Sequence, residues 1–206
     1  GRPPMTLSDD PDLRALQPDQ PFFETVYTAS PLVIVGTREP DGSGDLAPKH
    51  MAFPLGWSDY FGFVCTPAHS TYQNAKRTGE FTVSYPRPEN VLEASLAAGP
   101  RDDDGSKPSL TEIETVDADA VDAPAVKDAY AVLECELLQT VDEFGENALV
   151  AGEIVGKYVH SDAYHAADEE PESVLERAPV MTYLYPDRFA SVSETQAFPF
   201  PEGFEK

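Results

Sequence analysis

The sequence predicts a mainly β protein, an antiparallel barrel with a few short helices packed outside it. Three observations carry that expectation. Strand-like runs are numerous and scattered along the chain, helical runs are few and short, and strands and helices do not alternate in the way a doubly wound parallel sheet requires.

Taken in order, Leu32 to Thr37 (LVIVGT) is a β-rich run that ends in Arg38 to Gly44 (REPDGSG). The Pro, Asp and Gly there supply turn chemistry, so the pair reads as a hairpin leading into the segment that starts at Asp45. Tyr60 to Cys65 is the next apolar strand, and in Glu80 to Tyr85 the residues Phe81, Val83 and Tyr85 alternate with Thr82 and Ser84. Between them Ser70 or Thr71 can cap a short helix running to about Thr78, with Gly79 as its stop. Asn90 to Ala98 (NVLEASLAA) reads as a second helix, started by Pro88 and Glu89.

Two long strands follow. In the first, Ala131, Leu133, Cys135 and Leu137 share one face, with Glu134 and Glu136 on the other. In the second, Asn147 to His160, the small residues Ala151, Gly152 and Gly156 predict a bulge or sharp coiling of the kind barrels need. VDEFGEN between them supplies the hairpin. The runs Val180 to Leu184 and Arg188 to Val192 flank Tyr185-Pro186-Asp187. The chain is read as one domain over 1–206, with an N-terminal extension (1–30), an acidic insert (99–129) read as loop with a helical turn near Ala123 to Asp128, and a C-terminal tail (194–206).

Composition limits the function classes. The 206 residues carry 37 Asp and Glu against 14 Lys and Arg, a formal net charge of -23. The acids are spread over the whole chain and 41% of residues are hydrophobic, so an acid-coated folded protein is favoured over a disordered acidic one. Six lysines and so negative a surface suit a halophilic cytoplasm, where molar salt shortens screening to about 3 Å. A surface built for a basic partner is the weaker alternative. No basic stripe offers itself to nucleic acid, and no apolar run approaches the roughly 18 residues a spanning helix needs. A soluble cytoplasmic protein is expected. Cys65 and Cys135 sit in apolar runs and read as buried small hydrophobes, and without CxxC or clustered His/Cys spacing no metal site is expected.

The chemistry is therefore sought in Asp45 to Tyr85. A strand ending at Thr66, then a turn into a helix at Ser70-Thr71, exposes backbone N–H groups and the positive end of a helix dipole, the outline of an anion site. Thr66, Ser70, Thr71, Asn74, Lys76 and Arg77 add donors. Taken alone, this outline weighs less than a plain capped helix, because Ser and Thr open most helices.

The order of elements adds to that reading. A hairpin with a D-G turn, a D/N-x-A-P element (Asp45, Ala47-Pro48), an apolar strand, T-x-x-N on a short helix (Thr71, Asn74) and a G-E-F-x-V-x strand resembles the flavin reductase-like family of FMN-binding split β-barrels. The likeness covers about Pro31 to Tyr85, with looser similarity from Tyr130 to Val192. It implies a Greek-key split barrel and an oxidoreductase, most simply a flavin reductase moving electrons from NAD(P)H through FMN, rather than FAD, to free flavin or a partner protein. It places Ala47, Pro48, Lys49 and His50 along the isoalloxazine and ribityl chain, with Thr66 at the ribityl or phosphate and Thr71 and Asn74 at the phosphate end beside Ser70. It also implies a homodimer with the flavin at or near the interface.

Several readings stay open at this stage. His50 is a donor to flavin or a partner for a backbone carbonyl, and Lys49 either neutralises reduced flavin or projects from an edge strand into solvent. Trp57 and Tyr60 read as core before they read as stacking residues, His69 reads as exposed, and His160 and His165 receive no role. Tyr183, Tyr185, Arg188 and the tail Phe198-Pro199-Phe200-Pro201 are candidates for reaching a neighbouring subunit. Two other functions remain: an FMN-binding electron carrier without a nicotinamide site, and a cofactor-free barrel with a structural or regulatory role.

Overall fold

The structure, a computed structural model, describes residues 4–205; residues 1–3 of the predicted extension and Lys206 of the predicted tail lie outside the described residues. In chain order the strands are β1 (Ala29–Pro31), β2 (Val33–Arg38), β3 (Gly44–Lys49), β4 (Ala52–Pro54), β5 (Tyr60–Cys65), β6 (Glu80–Tyr85), β7 (Thr115–Asp117), β8 (Pro124–Val126), β9 (Ala131–Phe144), β10 (Asn147–Val159), β11 (Val180–Leu184) and β12 (Arg188–Val192). The helices are α1 (Phe22–Thr25), α2 (Ser70–Thr78), α3 (Val91–Ala97) and α4 (Pro171–Arg177).

Seven strands form one antiparallel sheet in the order β3-β2-β6-β9-β10-β5-β4. Its two edge strands, β3 and β4, are consecutive in the chain and joined only by His50 and Met51, so the sheet curls until its edges meet at one covalent corner. The β9–β10 hairpin separates β5 from β6 in the sheet, as a Greek key requires. A separate three-stranded sheet, β1-β11-β12, makes the barrel a split one. The expected antiparallel barrel with short helices outside is what the chain forms.

The interior is apolar. Val33 and Val35 of β2, Phe61 and Phe63 of β5, Phe81 and Val83 of β6, Cys135 of β9 and Val150 of β10 meet there. Phe63 and Phe81 pack edge to face with centroids 5.2 Å apart, and each such buried ring contributes about 1.5–3 kcal/mol. Both cysteines are free and buried. Helix α2 sends Tyr72 and Ala75 into this cluster and so covers one end of the barrel. A second cluster lies outside β2 and β3, where Ile34 and Leu46 pack on Ala94 and Ala97 of α3 and on Ile113, Val126 and Ala129. Because both faces of β2 are covered, LVIV reads as a continuous apolar run instead of an alternation.

The predicted irregularity of the second long strand is present: the β9–β10 register shifts between Ala151 and Gly152 and between Ile154 and Gly156. At Gly156 an added Cβ would lie 2.0 Å from Glu134 Oε2. That buried carboxylate is spent on the backbone N–H groups of Asp119 and Ala120.

Three expectations need correction. The acidic insert is not loop with a helical turn near Ala123: it forms the β7–β8 hairpin and a 3-10 turn over Pro108–Glu112. β8 crosses the outside of β6, where Thr82 Oγ1 donates to the Pro124 carbonyl (2.5 Å) and the Val126 N–H donates to Ser84 Oγ (3.0 Å). These two bonds join segments 42 residues apart in the chain and satisfy buried polar groups on both. The cap of α2 is His69, with no side-chain bond to the helix, so Ser70 and Thr71 occupy its first turn. Gly79 does end it, in the left-handed conformation at φ 73°. Trp57 is fully exposed near Gly56, in the turn between β4 and β5, and not part of the core.

The two ends lie largely outside these clusters. Met5, Leu7, Phe22 and Phe23 of the extension are exposed, and in the tail the rings of Phe198, Phe200 and Phe204 contact one another. Among the described residues no helix is long and apolar enough to cross a membrane.

Candidate functional site

A cleft of about 450 Å³ lies where β3, the start of α2, the end of α3 and the insert converge. β3 supplies Asp45, Ala47, Pro48 and Lys49. Pro48 is tolerated because β3 is an edge strand of the hydrogen-bonded sheet. α2 supplies Ser70 and Thr71, and the insert adds Arg101 and Lys107.

The polar groups of this cleft are incompletely paired. The Cys65 thiol donates to the Thr66 carbonyl (3.7 Å), while the N–H groups of Ser70 and Thr71, with no side-chain cap on the helix, have no protein acceptor among the described residues. The Lys49 ammonium is largely withdrawn from water and has no ion pair among the described residues. Burial pulls its pKa below the ordinary lysine value, and the Cys65 and Asp45 groups only partly offset this. An unpaired cation beside two free amides at a helix start is an anion site in physical terms.

Asp45 is treated differently. Its carboxylate is buried and meets Arg101 Nη2 at 3.0 Å and Lys107 Nζ at 3.6 Å. Burial raises its pKa, with Lys107 and then Arg101 pulling the other way. Arg101 also reaches Glu39 Oε1 (2.6 Å), and Lys107 donates to the Leu46 carbonyl (2.7 Å). The insert is thereby clipped onto the β2–β3 hairpin.

Two further hollows continue the cleft. One, of about 200 Å³, shares Pro48, Lys49 and His69 with it and adds His50, Cys65 and Thr66. Burial raises the Cys65 thiol despite the nearby Lys49 charge. The other, of about 350 Å³, shares Pro48 and Ala98 and is walled by His50, Tyr183, Arg188 and Phe189. There the His50 imidazole lies between two rings, stacked on Tyr185 at 5.0 Å and tilted to Tyr183 at 5.2 Å. Burial, and after it the Lys49 charge, hold the His50 pKa below the ordinary histidine value.

Of the predicted residues, Ala47, Pro48, Lys49, Ser70 and Thr71 come together in the main cleft, and His50 and Thr66 in the adjoining hollows. Asn74 is placed elsewhere. It is buried under α2, donates to Thr37 Oγ1 (3.1 Å) and accepts from Arg77 Nη2 (3.1 Å), so its amide is spent on holding the helix to β2. His50 makes no hydrogen bond to a carbonyl among the described residues; ring stacking takes that place. Tyr183 and Tyr185, named above as candidates for reaching a neighbouring subunit, also lie against His50 of their own chain. Arg101 and Lys107 escaped the sequence reading because they sit inside an acidic loop. The available signal was their placement: two of only 14 Lys and Arg bracket one short segment, RDDDGSK.

The family model described as flavin reductase like domain matches residues 26–191. An uncharacterized protein of Methanothermobacter thermautotrophicus is 26% identical over 187 residues, which cover 84% of this chain and 86% of that one. Among solved structures, nitrilotriacetate monooxygenase component B from Bacillus cereus aligns with a TM-score of 0.78 and 16% identity over 92% of this chain and 100% of its own. Flavoredoxin of Desulfovibrio vulgaris (Miyazaki F) aligns with a TM-score of 0.74 and 20% identity over 93% and 100%. At these identities the structural likeness is one of fold. The family match, spanning β1 to most of β12, goes further: the chain belongs to the flavin reductase like domain family.

Proposed function

We infer that the chain is an FMN-dependent oxidoreductase, a flavin reductase that takes electrons from NAD(P)H and passes them to free flavin or a partner protein. The observation that carries this reading is the unpaired Lys49 ammonium beside the acceptor-free amides of Ser70 and Thr71. In a chain of net charge -23, an anion is held only where donors are concentrated. A phosphate monoester fits that donor set, and the cleft continues from it along Ala47 and Pro48 to His50, an elongated apolar-walled path suited to a ribityl chain and a planar ring.

In this reading Ser70, Thr71 and Lys49 hold the phosphate, and Ala47 and Pro48 orient the ring. Flavin, when bound, supplies the hydride chemistry itself. The hollow beside His50, Tyr183 and Phe189 is the seat for the nicotinamide, and His50, neutral at pH 7, meets it without adding charge. The exposed apolar residues Leu138, Val141 and Phe144 of β9 and Val155 of β10 support a homodimer, which light scattering of the purified protein tests.

An absorption spectrum with FMN titration, followed by NAD(P)H oxidation, tests the function. Flavin uptake and turnover support it; a protein that takes up no FMN in high salt ends it. FMN uptake with zero NAD(P)H oxidation instead marks a flavin-binding carrier, the reading favoured by the likeness to flavoredoxin. Lys49→Met provides the site control: loss of one charge-assisted contact to the phosphate lowers FMN affinity about tenfold while leaving riboflavin, which lacks the phosphate, unchanged.

A further inference from the structure

The hollow walled by His50, Tyr183 and Phe189 also carries two charged groups that the fold leaves unpaired. Arg188 opens β12, Asp187 stands in the turn just before it, and both line the hollow. Neither side chain has an ion pair or a hydrogen bond among the described residues. Burial, and after it the Asp187 charge, raise the Tyr183 pKa, so the carboxylate lies close to that ring.

An uncommitted guanidinium is uncommon in this chain. Among the described residues the other lysines and arginines pair with acids, with the Asn74 amide or with the Tyr72 ring, and only Arg14, Lys49 and Arg188 are left without such a partner. Arg14 lies in the N-terminal extension and lines none of the hollows described above. Lys49 and Arg188 line hollows that share Pro48, so both free cations of the barrel face one connected cavity. With 37 acids in the chain, a guanidinium without one keeps its whole fork of donors for a ligand.

The size of the hollow, about 350 Å³, lies at the low end of the range small ligands occupy. It suits a ring and a sugar and falls short of a whole dinucleotide. His50, Tyr183 and Phe189 offer surface to the ring, Asp187 can accept from a sugar diol, and Arg188 can donate two parallel bonds to a phosphate. Beyond Arg188, an adenylate or its 2′-phosphate meets an acid-coated surface with no free cation among the described residues outside the extension. We propose that Arg188 grips the first phosphate of the nicotinamide nucleotide and that recognition of the electron donor ends there. NADH and NADPH are then used alike, and the reduced mononucleotide serves as well as either. The proposal rests on the reductase reading given above.

Steady-state oxidation of four donors by the whole FMN-loaded chain in molar KCl tests it: NADH, NADPH, reduced nicotinamide mononucleotide and reduced nicotinamide riboside. The first three should agree in kcat/KM within about threefold, and the mononucleotide should exceed the riboside, which lacks the phosphate, by about tenfold, the value of one charge-assisted contact. Arg188→Gln should raise KM for the three phosphorylated donors about tenfold with little change in kcat, and so bring the mononucleotide down to the riboside level. A tenfold preference for NADPH over NADH, or for NADH over the mononucleotide, overturns the proposal whether or not the variant folds. So does a folded Arg188→Gln that still prefers the mononucleotide to the riboside. Either result, with turnover present, leaves the reductase reading standing. FMN uptake without turnover of any donor removes the proposal and the reductase reading together and leaves flavin binding in place, and no FMN uptake removes all three.

Discussion

Tyr185 lies flat on His50, with 5.0 Å between ring centroids and 25° between planes. The contact joins the corner between β3 and β4 to the turn between β11 and β12, and so fixes the three-stranded sheet against the barrel's seam. Tyr185→Ala should cost about 0.5–1.5 kcal/mol in urea unfolding, the usual contribution of such a pair. It should also admit water and move the His50 pKa back toward 6.5, because burial is the first cause of its depression. NMR titration of the His50 ring reads this directly; an unmoved pKa would contradict it.

Lys49 sets stability against binding. Its folded pKa lies below the ordinary 10.5, so between the two the unfolded chain binds more protons and stability rises with pH. Its contribution is present above the unfolded pKa and is lost as pH falls through the folded one. At neutral pH the buried charge is therefore a cost, and Lys49→Met should stabilise the ligand-free protein by on the order of 1 kcal/mol while weakening FMN binding. Urea midpoints of both proteins from neutral to alkaline pH should converge as pH rises; a constant gap would refute the assignment.

Gly36 is where the insert rests on the barrel. A Cβ there would lie 1.9 Å from the Pro124 carbonyl oxygen and 2.4 Å from Thr82 Oγ1, so backbone would have to move. Gly36→Ala should destabilise by about 1–3 kcal/mol, or more if β8 lifts away, and should expose the β8 amides to hydrogen exchange. Unchanged exchange at Val126 would show that the strand has another anchor.

The acid-coated surface makes a further prediction. With a net charge of -23, self-repulsion opposes the compact state at low ionic strength, so the melting temperature should climb between dilute and molar KCl. The buried Asp45–Arg101 pair is screened far less than exposed pairs, so Arg101→Gln should lower the melting temperature at both salt levels.

Most strands were legible because their signals are local. Val83 alternates with Ser84, Gly79 stops a helix, and Gly152 and Gly156 mark irregular pairing whatever lies elsewhere in the chain. The course of Gly99 to Ala129 was not legible: β8 exists because Pro124 and Val126 find Thr82 and Ser84 on β6, partners far away in sequence. The site divided along the same line. Ala47 to Lys49 and Ser70-Thr71 are short linear segments and could be picked out. Asn74 matched a linear pattern and yet turned inward, since Thr37 offered it a buried hydroxyl.

The sequence by itself determined the β character, the curled antiparallel sheet and the strand–turn–helix that presents free amides, because each follows from periodicity, turn chemistry and backbone donors within a few residues. Only the tertiary structure decided that the insert brings Arg101 and Lys107 onto Asp45, and that Tyr183 and Tyr185 enclose His50. A charge acquires its partner, and a ring its neighbour, through burial against distant segments, and no local pattern encodes which distant segment arrives.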